Sequence, residues 1–105
     1  MSQQTPQERD EMILTFNLLK PEQMPKERLF ALVWRARQIA LELDGVYDLA
    51  LYQTEYPKTW RCSVDLDGQD EWERLQADQR FKRVWTELEE LGVQIAEADQ
   101  LERRI

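Results

Sequence analysis

The stretch Leu43-Asp44-Gly45-Val46-Tyr47-Asp48-Leu49-Ala50-Leu51-Tyr52 reads as a helix end, a glycine stop and a departing strand. Glycine just past a helix takes the left-handed conformation at little cost, and a β-branched valine favours the strand that follows. The same punctuation returns in Leu88-Glu89-Glu90-Leu91-Gly92-Val93-Gln94-Ile95. Two helix–Gly–Val–strand junctions in one short chain imply two similar halves.

Working outward, Met12, Leu14, Phe16 and Leu18 alternate with Ile13, Thr15 and Asn17, which predicts a first strand with one apolar face. Lys20 to Pro25 breaks it. A helix is expected from about Pro25 to Leu43, with Leu29, Leu32, Val33, Ala36, Ile39, Ala40 and Leu43 as one apolar stripe. Phe30 and Trp34 add a second, shorter stripe, which either widens the core face or meets something outside it. A second strand is predicted over Val46 to Glu55 and a third over Trp60 to Leu66. The turn Tyr56-Pro57-Lys58 joins them as an antiparallel hairpin.

Asp67 is placed to cap the next helical region. Its stripe of Trp72 and Leu75 is interrupted at Gln76-Ala77-Asp78-Gln79 before Phe81, Val84, Trp85, Leu88 and Leu91 resume it. A break near Asp78 follows. A fourth strand is expected from Val93. The order β-α-β-β-α-β predicts an α+β fold, a ferredoxin-like sandwich with a four-stranded antiparallel sheet and both helical regions on one face. That face would carry Leu14, Phe16, Leu49, Leu51, Cys62, Val64, Val93 and Ile95. The other would carry Thr15, Asn17, Asp48, Ala50, Tyr52, Arg61, Ser63, Asp65 and Gln94.

The 105 residues suffice for one domain, expected over residues 12–105, with residues 1–11 as a flexible tail. The chain carries 21 acidic against 14 basic residues, net −7, so nucleic acid is not expected as a partner. No run of about 18 apolar residues predicts a membrane span. The polar start holds no secretory apolar core, and a lone cysteine, Cys62, has no partner for an internal disulfide. A cytoplasmic location is the expectation. Without histidine, and with one cysteine, no metal site and no cofactor are expected.

The layout resembles the dimeric α/β-barrel group of ferredoxin-like proteins, over roughly Met12 to Leu101. The resemblance rests on Leu43-Asp44-Gly45-Val46 and the strand Leu49-Ala50-Leu51-Tyr52. It rests also on Val64-Asp65-Leu66-Asp67 leading to Trp72 and Leu75, and on Asp78-Gln79-Arg80-Phe81 and Trp85 before the closing strand. The chain is similar in this to small stress-responsive and antibiotic-biosynthesis-monooxygenase-like proteins. The resemblance implies a homodimer whose two sheets meet open face to open face as a barrel. The group's activities include cofactor-independent monooxygenases and isomerases, haem enzymes and stress-induced proteins. Branches that depend on histidine do not fit this chain. The monooxygenases use Asn, Trp, Tyr and Arg around a small substrate, and the resemblance points to Asn17, Trp34, Tyr52, Trp60 and Arg61 as candidates for ligand binding, with no catalytic residue assigned. Other ferredoxin-like families fit less well. No Gly- and Arg-rich phosphate cradle lies between Leu18 and Pro25, and the central strands lack the exposed aromatics of an RNA-reading sheet.

The expectation is therefore a small homodimeric α/β-barrel protein binding a small organic molecule, as a cofactor-independent oxygenase or isomerase. The alternative is a non-catalytic dimeric binding or protein-interaction module. Arg61 shares its strand parity with Ser63 and Asp65, so it should face away from the helices. A guanidinium covered there needs a carboxylate such as Asp48 or Asp65, or an anionic ligand.

Overall fold

A computed structural model describes residues 12–97 of the chain. The tail of residues 1–11 and the end of the domain expected to reach residue 105 lie outside the described residues. The elements are β1 (Met12–Leu19), α1 (Lys26–Ala40), β2 (Val46–Gln53), β3 (Thr59–Leu66), α2 (Gln69–Ala77), α3 (Gln79–Glu90) and β4 (Gln94–Glu97). The strands form one antiparallel sheet in the order β2-β3-β1-β4, and the helices cover one of its faces.

Strand alternation fixes which residues enter the core. Leu14, Phe16 and Leu18 of β1, Leu49 of β2, and Trp60, Cys62, Val64 and Leu66 of β3 are all buried towards the helices. From α1 they meet Leu29, Leu32, Val33, Ala36, Ile39 and Ala40, the predicted stripe. Leu51 and Ile95, expected on the same face, are partly buried at the two edge strands. Each fully buried leucine contributes about 1.5–3 kcal/mol relative to exposure. Under α2 and α3 the core is aromatic. Phe16 lies 5.4 Å from Trp72 and 5.8 Å from Trp85, and Phe81 stacks on Trp85 at 5.2 Å. Such pairs add roughly 0.5–1.5 kcal/mol each beyond area burial.

The break at Asp78 is present, and its cause is local. The Asp78 backbone is extended (φ −73°, ψ 123°), which ends α2, and its carboxylate accepts a hydrogen bond from the Arg80 N–H at 2.9 Å, which starts α3. Gly45 and Gly92 have φ of +87° and +97°, the left-handed values that the two junctions demand.

Several boundaries and contacts differ from expectation. Helix α1 stops at Ala40 rather than Leu43. Tighter turns carry the chain on, with Glu42 N–H donating to Ile39 O and Leu43 N–H to Ala40 O. The residue before α2 is Gly68, with no side-chain cap, so Asp67 does not cap that helix. Instead Asp67 accepts a hydrogen bond from the Tyr47 hydroxyl at 2.8 Å, and its N–H donates to Gly45 O at 2.8 Å. Tyr47 is also out of phase. A bulge pairs Val46 with Leu66 and Asp48 with Asp65, leaving Tyr47 as the extra residue, 43% exposed.

Candidate functional site

The face of the sheet opposite the helices is organised by register. Asn17 pairs with Arg61, Arg61 with Tyr52, and Asn17 with Ala96. One row therefore crosses all four strands as Tyr52, Arg61, Asn17, Ala96. The next row is Ala50, Ser63, Thr15, and beyond it lie Asp48, Asp65 and Ile13. Thr15 is buried even though it belongs to this face, whereas Arg61 and Tyr52 are exposed.

The first row lies beside the β2–β3 hairpin. There an open pocket of about 570 Å³ is lined by Asn17, Tyr52 and Arg61 together with hairpin residues that include Glu55, Tyr56 and Thr59. The hairpin holds its shape through Thr54. Its hydroxyl lies 2.7 Å from Thr59 O, to which it donates, and accepts from the Tyr56 N–H at 3.1 Å. A further hydrogen bond, Thr59 N–H to Tyr56 O at 3.1 Å, closes the turn.

Arg61 Nε donates to Asn17 Oδ1 at 3.4 Å, a long contact that orients the guanidinium without neutralising it. Neither Asp48 nor Asp65 forms an ion pair with it. Asp48 is held by Arg37 of α1 at 3.1 Å, since β2 is an edge strand that a long side chain from the helix layer can reach past. The anticipated Arg61–aspartate pair is thus replaced by the Arg61–Asn17 contact.

Of the five candidate residues, Asn17, Tyr52 and Arg61 meet in this pocket, and Trp34 and Trp60 do not. Trp60 lies on the helix side of the sheet, 7% exposed, with its ring edge-on to Phe30 at 5.2 Å. Its Nε1 is buried without a hydrogen-bond partner among the described residues. Trp34 is on the outer side of α1, 55% exposed, with the Arg37 guanidinium 5.3 Å from its ring centroid. Leu41, just past the end of α1, is exposed like Trp34, whereas Phe30 is partly covered by buried Trp60, so the second stripe extends the core only through Phe30.

Glu55, Tyr56 and Thr59 are pocket residues that the sequence reading did not single out. Their signal was available, because the hairpin that sets Tyr52 opposite Arg61 also brings its own tip beside them.

Cys62 is fully buried, and burial pushes its thiol up to about 12, so it is not poised as a nucleophile. Among the described residues no group of three or more His, Cys, Asp or Glu could hold a metal ion, and no helix is long and apolar enough to cross a membrane.

No protein-family model matches the chain, and no curated protein matches it significantly. Solved structures do. SnoaB, a cofactor-independent oxygenase from Streptomyces nogalater, superposes with a TM-score of 0.73 at 13% identity, covering 91% of this chain and 96% of that one. A conserved protein from Methanosarcina mazei Go1 gives 0.72 at 18% identity, with 88% and 94% covered. A candidate antibiotic biosynthesis monooxygenase from Deinococcus radiodurans gives 0.69 at 15% identity, with 90% and 97% covered. At these identities the likeness is one of fold: the chain shares the four-stranded, ferredoxin-like fold of these structures.

Proposed function

We propose that the protein binds a small organic molecule on the open face of its sheet, in a cavity closed by a second copy of the chain as a homodimeric α/β barrel. The observation that carries this reading is the row Tyr52–Arg61–Asn17 beside a pocket of about 570 Å³. An exposed guanidinium braced by an amide, with aromatic rings next to it, is a recognition surface rather than a folding requirement. The fold likeness to SnoaB, a cofactor-independent oxygenase, supports oxygenation as the proposed reaction class, with isomerisation as the other activity the sequence layout implies, and no catalytic residue is assigned. The buried free thiol of Cys62 suits a reducing compartment, so the proposed location is the cytoplasm.

The test is a fragment screen read by backbone amide chemical shifts. Ligands should perturb Asn17, Tyr52, Arg61 and the Thr54–Thr59 hairpin together. Shifts confined to the helix layer would refute the assignment.

A second reading, a protein-docking module, is favoured by one observation. Phe30, Trp34 and Leu41 leave an exposed apolar stripe on α1, remote in kind from the polar row of the sheet.

A further inference from the structure

We propose that the ligand of the open face carries a single carboxylate, gripped end-on by the two terminal nitrogens of Arg61. This rests on the reading of that face as a ligand site and adds the ligand's chemistry. Among the described residues, Arg28, Arg35, Arg37, Arg74 and Arg80 each lie within 4 Å of a carboxylate. Arg61 and Arg83 do not, in a chain whose net charge is −7 and which has acids to spare; Arg83 is exposed on α3, and of the two only Arg61 lies on the open face of the sheet. An arginine left uncompensated on a sheet face, where a covering layer would desolvate it, needs an anion from outside.

The geometry narrows the anion. Nε is committed to Asn17 Oδ1, which fixes the plane of the guanidinium and leaves its Nη edge to donate. Two parallel N–H donors match the two oxygens of a carboxylate. Charge narrows it further. The charged residues of the pocket are Arg61 and Glu55, one of each sign, so a dianion such as a phosphate monoester would face an uncompensated repulsion. A phenol, with a pKa of about 10, is neutral at pH 7 and would not neutralise the guanidinium, whereas a carboxylate with a pKa of about 4 would. Tyr52 and Tyr56, both largely exposed, offer the apolar surface for the remainder of the ligand.

The experiment titrates the full chain with three probes of similar apolar body: 2-naphthoate, 2-naphthamide and 2-naphthyl phosphate. Binding is followed by amide shifts of the Tyr52–Arg61–Asn17 row. The expected result is that 2-naphthoate binds roughly tenfold or more tightly than either other probe, as charge-assisted hydrogen bonds require. Arg61→Leu should erase the preference for naphthoate over naphthamide, and Arg61→Lys should keep part of it. Both variants should keep the parent's amide shifts throughout the helix layer, which separates lost recognition from lost fold. Equal binding of naphthoate and naphthamide, or tighter binding of the phosphate, overturns the carboxylate proposal while the open-face site stands. Absence of shifts in the row with all three probes overturns both.

Discussion

Adding one methyl group at Gly45 should destabilise the fold about twice as much as adding it at Gly92. Both glycines hold left-handed φ, +87° and +97°, where an L side chain costs about 1 kcal/mol or somewhat more. At Gly92 little else is in the way, since the nearest atom to a new Cβ would be Pro21 Cγ at 3.4 Å. At Gly45 the Cβ would lie 2.6 Å from Glu71 Cγ and 3.3 Å from Asp67 Oδ2. Glu71 would have to swing away, disturbing its 3.0 Å pair with Arg74, and Asp67 is tied to Tyr47. That displacement adds about another 1 kcal/mol. Gly92→Ala should therefore cost about 1 kcal/mol and Gly45→Ala about 2 kcal/mol. In urea unfolding with a slope of about 1.5 kcal/mol/M, the midpoints should fall by about 0.7 M and about 1.3 M. A Gly45→Ala midpoint equal to or above that of Gly92→Ala would refute the steric argument. A rise in either midpoint would refute the left-handed one.

Asp78→Ala should lower Tm at pH 7. The Arg80 side-chain hydrogen bond holds the Asp78 carboxyl below its usual value, so its contribution is present above the unfolded pKa and is lost as pH falls through the folded one. The gap between parent and variant should thus close below about pH 4, and a gap that widens in acid would contradict it. Cys62 should resist a disulfide reagent at pH 8 in the native protein and react fully in denaturant. Rapid native labelling would mean that the β3 core opens readily. Arg61→Leu should remove the carboxylate preference of the open face while leaving the amide shifts of the helix layer as in the parent.

Much of the fold is legible because its signals are local. Gly45 and Gly92 punctuate helices, β1 and β3 alternate cleanly, and the polar gap at Asp78 divides α2 from α3. What escapes the sequence depends on neighbours. The bulge at Tyr47 is hidden because Val46, Tyr47, Leu49 and Leu51 are all apolar, so a slip of phase leaves no polar residue visibly misplaced. Asp67 has the chemistry of a cap, yet the Tyr47 hydroxyl competes for it from a strand twenty residues earlier. Phe30 and Trp34 keep helical spacing whether they face core or solvent.

For the candidate site, parity was sufficient for some residues and not for others. Trp60 shares the parity of Cys62 and Val64, which places it on the helix side, away from Arg61. Parity puts Arg61, Asp48 and Asp65 on one face, but only the β2–β3 hairpin register shows Tyr52 opposite Arg61, and only the β1–β3 register shows Asn17 there. That Arg37 of α1 takes Asp48 could not be read from a strand pattern at all.

The most direct measurement of the central claim is the mass of the native protein in solution by light scattering, at micromolar concentration. A barrel that closes the Tyr52–Arg61–Asn17 row between two sheets requires two copies, so the mass should be twice the chain's 12.7 kDa. A parent protein that scatters as a single 12.7 kDa chain would leave the row open to solvent and contradict the account.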